Sequence, residues 1–176
     1  MQNHITQNSI LIFLSANNFS EEEYLIIKKV FLKAGKGIFI TSDSQTVCTG
    51  DNGLKVKADT DFYNVNDKNF SVVVLIGGKG SKDYWDNERL HNIVKNFNRA
   101  GKIIAAICSA PIILAKAGLL TNIPATCWSE DKNELIKLGI NYNDRSVIAE
   151  KGVITSDGPR SAEQFAETVL NMIKNY

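Results

Sequence analysis

The stretch Gly101-Lys-Ile-Ile-Ala-Ala-Ile-Cys-Ser-Ala-Pro-Ile-Ile-Leu-Ala-Lys116 decides the reading of the chain. Residues 103–107 form a short apolar run, the pattern of a strand buried on both faces. Ser109-Ala110-Pro111 then opens a second apolar run at helical spacing. Proline suits the first turn of a helix, where its missing N–H would have had no partner. Cys108 therefore stands where a strand ends and a helix begins. The turn between them needs small neighbours, and Ala106 and Ala110 flank the cysteine at minus two and plus two. This is the logic of a nucleophile elbow, with cysteine in place of serine. The helix dipole and the free N–H groups at such a turn favour the thiolate, which predicts a reactive thiol at Cys108. A cysteine in an arbitrary apolar run would instead be a small core hydrophobe. The strand–Cys–small–Pro–helix order argues against that here.

Outward from this stretch, the chain reads as strands alternating with helices. Residues 10–15 form a first buried run. Ser20 then caps a helix, with Glu23 three residues later as its capping-box partner, and the helix stops at Gly35. Residues 37–41 read as a strand, 46–57 as a hairpin around Asp51-Asn52-Gly53, and 71–76 as a third buried run ending at Gly77-Gly78. A helix with Leu90, Ile93, Val94 and Phe97 on one face leads to the Cys108 segment. Beyond it come a short strand at 125–127, a helix at 130–138, two strands at 146–149 and 153–155 joined by Glu150-Lys151-Gly152, and a last helix at 161–173. The alternation implies an α/β fold with a mainly parallel sheet and helices on both faces. Sites in such sheets form at the carboxyl ends of strands. Three of those ends carry chemistry: the turn after residue 15 leading to Glu23, Gly77-Gly78, and Cys108. A Gly-Gly turn lets peptide N–H groups approach a ligand or an oxyanion closely.

A chain of 176 residues, 44% hydrophobic and 22% charged, fits one domain spanning 1–176, with 1–9 as a polar tail. The net charge of +1 gives no electrostatic case for nucleic acid. The start has no apolar signal segment, and no run reaches the length of a membrane span, so the expected setting is the cytoplasm. The three cysteines, Cys48, Cys108 and Cys127, lack metal-ligand spacing and suggest free thiols in a reducing compartment. No metal and no cofactor are expected. Gly77-Gly-Lys-Gly-Ser81 lacks the spacing of a Walker loop, so it carries no nucleotide prediction.

The residues Val72-Val-Val-Leu-Ile-Gly-Gly78, Ala105-Ala-Ile-Cys-Ser-Ala-Pro111 and Ile154-Thr-Ser-Asp-Gly-Pro159 resemble the ThiJ/PfpI superfamily, also called the DJ-one family. Glu23, ahead of Gly35, completes the pattern, and the closing Ser-Asp-Gly-Pro leans toward the DJ-one branch rather than the PfpI proteases. The resemblance covers nearly the whole chain. It implies a flavodoxin-like sandwich that forms a homodimer. It also implies a reactive Cys108 beside the carboxylic acid of Glu23, with the N–H groups of Gly78 and Ser109 at the oxyanion-hole positions. Gly77, Trp128, Pro159 and Arg160 are further candidates to line the site. Family activities include glyoxalase III-type conversion of methylglyoxal to lactate, deglycation, redox sensing, chaperone-like holding and proteolysis.

Two departures shape the functional reading. PfpI-type proteases have histidine directly after the cysteine, where this chain has Ser109. The DJ-one branch often has histidine near Trp128, and an indole is no general base. Only His4, in the polar tail, and His91, on a helix, are present. A Cys–His dyad, and ordinary peptidase chemistry with it, is therefore disfavoured. Two readings remain. In one, Cys108 adds to a small reactive aldehyde and Glu23 moves the proton. In the other, Cys108 is oxidised in a redox sensor or a chaperone-like stress protein, and Glu23 stabilises the product. Glu23 alternatively only caps its helix. Tyr84-Trp85 either covers the site or packs. Cys48 would be a secondary oxidation site if the hairpin exposes it. Arg160 could bind an anionic substrate.

Overall fold

The buried runs read from the sequence become the centre of one sheet, and their order sets where the site lies. A computed structural model describes residues 9–43 and 47–175; His4 and most of the polar tail lie outside the described residues. In chain order the strands and helices are β1 (Ser9–Phe13), β2 (Asn17–Phe19), α1 (Glu21–Lys33), β3 (Gly37–Ser42), β4 (Val47–Gly50), β5 (Lys55–Lys57), β6 (Thr60–Asp61), β7 (Val72–Leu75), α2 (Glu88–Arg99), β8 (Ile103–Ile107), α3 (Pro111–Lys116), β9 (Pro124–Ala125), α4 (Lys132–Lys137), β10 (Asn141–Tyr142), β11 (Val147–Glu150), β12 (Val153–Ser156) and α5 (Ala162–Asn175). Seven strands form the main sheet in the order β11-β12-β8-β7-β1-β3-β6. All its neighbours run parallel except β11 and β12, which pair antiparallel across the Glu150-Lys151-Gly152 turn. The fold is a flavodoxin-like α/β sandwich.

The alternation of strand side chains divides the core. Leu11, Phe13, Val73, Leu75, Ile104 and Ala106 point to one face, where α2, α3 and α4 cover them. Ile10, Ile12, Val72, Val74, Ala105 and Ile107 point to the other, packed by residues of α1 and α5. This is the period-two pattern of a sheet covered on both sides, and it explains why β1, β7 and β8 are continuous apolar runs rather than half-polar ones.

Connectivity then positions the site. From β1 the chain moves to β3 on one side, and later crosses to β7 on the other. The strand order reverses at β1, and crevices form outside the carboxyl ends of strands at such a switch point. The three chemically suggestive strand ends belong to β1, β7 and β8, three adjacent strands. Among the described residues no helix is long and apolar enough to cross a membrane.

Several sequence expectations shift at their edges. The 46–57 hairpin forms as β4 and β5, although residue 46 lies outside the described residues. The strand expected at 125–127 is Pro124–Ala125, paired with β10, so Cys127 lies beyond it. The helix expected at 130–138 is a 3-10 turn, Ser129–Asp131, followed by α4.

Candidate active site

Cys108 sits at the end of β8 with φ of +64°, a left-handed conformation that few non-glycine residues adopt. Such a conformation costs on the order of 1–3 kcal/mol and persists only where the surroundings over-determine it. Both peptide groups of the residue are pinned. Its N–H donates to the Ser156 carbonyl at 2.9 Å, and its carbonyl accepts from the Trp128 N–H at 2.8 Å. The N–H groups of Gly78 and Ser109 face its sulfur. Geometrically, this is the elbow the sequence predicts.

The end of β7 joins the elbow to α1. The Gly77 carbonyl accepts from the Ser20 N–H at 3.0 Å, and the Gly77 N–H donates to Glu23 Oε2, also at 3.0 Å. Glycine is required by the close approach. A Cβ at position 77 would stand 2.5 Å from Cys108 Cβ and 2.7 Å from the Ile107 carbonyl oxygen. Gly78, with φ of +101°, would place a Cβ 2.5 Å from the Ser20 nitrogen.

Glu23 corrects the capping-box expectation. Ser20 does cap α1, accepting from the Glu23 N–H at 3.4 Å. The return bond is absent, because the Ser20 N–H goes to Gly77 and the Glu23 carboxyl turns inward to the Gly77 N–H. The side chain is wholly buried. Burial pushes its carboxyl up from 4.5 to about 7, although the Cys108 thiol, the Gly77 N–H and the Ser20 side chain all pull it down. Among the described residues Oε1 has no conventional hydrogen-bond partner. An ionised carboxylate would leave that oxygen's charge uncompensated, and protonation removes the penalty.

The Cys108 thiol corrects a second expectation. It is held above the ordinary thiol range, first by burial and then by the neighbouring Glu23, against the opposing pull of the Gly78 and Ser109 N–H groups. The dipole expected to favour the thiolate comes from α3, a helix of only six residues, and burial outweighs it. Cys48 is buried rather than exposed on its hairpin, and burial raises its thiol too. Burial pushes the Cys127 thiol up to about 12.

A cleft of about 490 Å³ opens beside the elbow, lined by Trp128, Pro159 and Arg160 together with Cys127, Tyr142 and Asp157. Trp128 lies against Gly158, where a Cβ would meet its ring at 3.1 Å. Cys108, Glu23 and Gly77 do not line this cleft; they lie behind the Trp128 segment, tied to it by the Cys108 carbonyl. Tyr84 packs in the core, 5.0 Å from Phe13 between ring centroids, which settles its packing role. Trp85 instead donates its indole N–H to the Ser109 carbonyl at 2.9 Å. His91 is half-buried, with Nε2 2.8 Å from the Trp85 carbonyl.

Two charged residues beside the elbow escape a reading of the sequence. Asp131 is buried and accepts from the Ser109 hydroxyl at 2.5 Å. Its other oxygen pairs with Lys82 at 2.5 Å. In the sequence they are ordinary charges 49 positions apart on turn-rich segments, with no motif to link them. Among the described residues, no group of three His, Cys, Asp or Glu side chains is placed to hold a metal ion.

Comparison with known proteins places the chain in a family. The chain is 32% identical to a ThiJ/PfpI domain protein from Brachyspira murdochii of known crystal structure, with a TM-score of 0.94 over 97% of this chain and 99% of that one. It is 29% identical to the deglycase PfpI of Pyrococcus furiosus, over 93% of this chain and 99% of the relative. It is 26% identical to a glutathione-independent glyoxalase of Caenorhabditis elegans, over 96% of this chain and 90% of the relative. The family model for the DJ-1/PfpI family matches residues 8–172, and the chain belongs to that family.

Proposed function

We propose that the protein converts small reactive aldehydes such as methylglyoxal to hydroxy acids, with Cys108 as nucleophile and Glu23 as proton carrier. The reading takes residues 1–176 as one domain acting as a cytoplasmic homodimer. One observation carries it: a buried carboxyl, with no cation among the described residues acting on it and pushed to about 7, faces a thiol on a strained turn. A carboxyl poised near neutral pH both accepts and returns protons, which is what general acid–base catalysis needs. The names of the relatives, deglycase and glyoxalase, support a role on reactive aldehydes at the level of the family.

The elevated thiol makes Glu23 the base for the first step. The carboxylate takes the thiol proton as sulfur attacks the aldehyde carbon. The resulting oxyanion is met by the N–H groups of Gly78 and Ser109, and Glu23 returns the proton to give a hemithioacetal. Glu23 then removes the hydrogen on that carbon and, through an enediol, a proton is delivered to the neighbouring carbon. The product is a lactoyl thioester on Cys108. Water cleaves it to lactate and regenerates the thiol, so the net reaction adds one water to methylglyoxal. No imidazole stands after Cys108 to protonate a leaving amine, and peptide cleavage is not part of the proposal.

A second reading is favoured by the position of Cys108 outside the cleft, at only 8% exposure. An oxidant as small as hydrogen peroxide needs less access than a substrate, and would convert the thiol to sulfenic acid and water. One experiment separates the two. The purified, reduced protein is incubated with methylglyoxal and lactate is followed by NMR, with Cys108→Ala as control. Cysteine-dependent lactate is expected. Its absence from protein with a titratable Cys108 thiol, joined to peroxide-dependent oxidation of Cys108, would replace the enzyme reading with the sensor reading.

A further inference from the structure

We propose that Asp131 is a positioning residue: acting through the Ser109 hydroxyl, and itself held by Lys82, it fixes the Ser109 N–H on the Cys108 sulfur. The inference rests on the reading of Cys108 as the reacting thiol.

The supporting observation is a closed circuit of hydrogen bonds that leaves the elbow and returns to it. The Cys108 carbonyl accepts from the Trp128 N–H at 2.8 Å, and the Trp128 carbonyl accepts from the Asp131 N–H at 2.9 Å. Asp131 Oδ2 accepts from the Ser109 hydroxyl at 2.5 Å, and Ser109 is bonded to Cys108 through the peptide whose N–H faces the sulfur. A second tether holds the far side of Ser109, where the Trp85 indole donates to its carbonyl at 2.9 Å. Lys82 joins both tethers. Its ammonium group is 2.5 Å from Asp131 Oδ1 and 5.2 Å from the centroid of the Trp85 ring.

This arrangement does more than packing requires. A carboxyl group only 3% exposed is an expensive way to fill space, and apolar residues of similar volume commonly serve stability as well or better. The circuit instead fixes the Cys108–Ser109 peptide, the one that follows the left-handed Cys108 and carries the Ser109 N–H. The groups facing Asp131 are Lys82, the Ser109 hydroxyl and the Cys127 thiol. Those acting most strongly on the Cys108 sulfur are Glu23 and the N–H groups of Gly78 and Ser109.

Removing Asp131 tests the idea because two effects have opposite signs. Losing a nearby negative charge alone would ease thiolate formation and speed alkylation. Losing the N–H contact would hinder it. The experiment is the pH–rate profile of Cys108 alkylation by iodoacetamide, followed by peptide mass mapping, in wild type, Asp131→Ala, Ser109→Ala, the double variant and Ser109→Thr. Each alanine variant is expected to react about tenfold more slowly near pH 8, the worth of one good hydrogen bond to a charged group. The double variant should be no slower than either single, and Ser109→Thr, which keeps the hydroxyl, should recover the rate. Faster alkylation in Asp131→Ala, an unmoved Ser109→Ala profile, or additive losses would overturn the proposal. If Asp131→Ala does not fold, the Ser109→Ala and Ser109→Thr pair decides alone. An inert Cys108 in wild type, joined to no cysteine-dependent lactate, would remove the catalytic reading and this one together. A reactive Cys108 with unmoved variants removes only this one.

Discussion

Two buried carboxyls flank the Cys108 elbow, and the protein treats them in opposite ways. On the α1 side, Glu23 has a peptide N–H at one oxygen and, among the described residues, no conventional partner at the other and no cation, and burial holds it near 7. On the opposite side, Asp131 has an ammonium group on one oxygen and a hydroxyl on the other. Both are as hidden from water as core leucines. What separates them is partnership: burial raises Glu23 toward neutral pH, while Asp131 is held in place by two side-chain partners. In the proposed reading, the first acid does chemistry and the second holds geometry.

The largest expected effect breaks or keeps this contrast directly. Glu23→Gln preserves shape and hydrogen bonding but cannot exchange a proton, so lactate formation should fall by about 10²–10⁴-fold. Asp131→Ala should lower it by only about tenfold, the worth of a positioning contact. Undiminished turnover in Glu23→Gln would take the proton-carrying role away from the α1 side.

A second effect reads the same asymmetry as stability. A carboxyl raised from 4.5 to about 7 weakens the folded state as pH climbs through that window, and the loss is complete above it. Glu23→Gln has nothing to ionise. Its advantage over wild type should be absent at pH 4 and below and reach at most about 3 kcal/mol above pH 8. Denaturant unfolding at both ends of that range measures the difference, and an equal gap at both would mean that Glu23 is not the buried acid described.

The smallest effect belongs to the paired side. Lys82→Met should destabilise the fold by about 1–2 kcal/mol by leaving Asp131 without its cation. The loss stays modest because the Lys82 side chain is 39% exposed and water already screens the pair. Thermal unfolding at neutral pH would show it, and a variant as stable as wild type would reduce the ion pair to a surface contact.

Much of this molecule was legible in its residues where one local rule dominated. The strand before the elbow runs over Ile103–Ile107, as its apolar run predicts, and Ser20 caps α1. The family resemblance brought Glu23 to Cys108, which the spacing of Ser20 and Glu23 alone left open. The failures share a cause. Strands of two or three residues, such as β2, β6 and β10, are held by neighbours far away in sequence and carry no periodicity. The thiolate prediction at Cys108 weighed a short helix and overlooked burial, which a local pattern does not reveal. Asp131 and Lys82 look like surface charges until the fold sets Asp131 between Lys82 and Ser109.

Gly77 carries a consequence for how this protein can change. Its missing side chain is the space in which the Cys108 β-carbon and the Glu23 carboxyl come together, and one wall of that space is backbone, which cannot swing aside. Any drift at this codon to a larger residue would separate the acid from the sulfur while leaving both in place. A position with no functional group of its own is therefore among those around the thiol that tolerate no side chain, and a survey of tolerated variants would mark it as essential without revealing why.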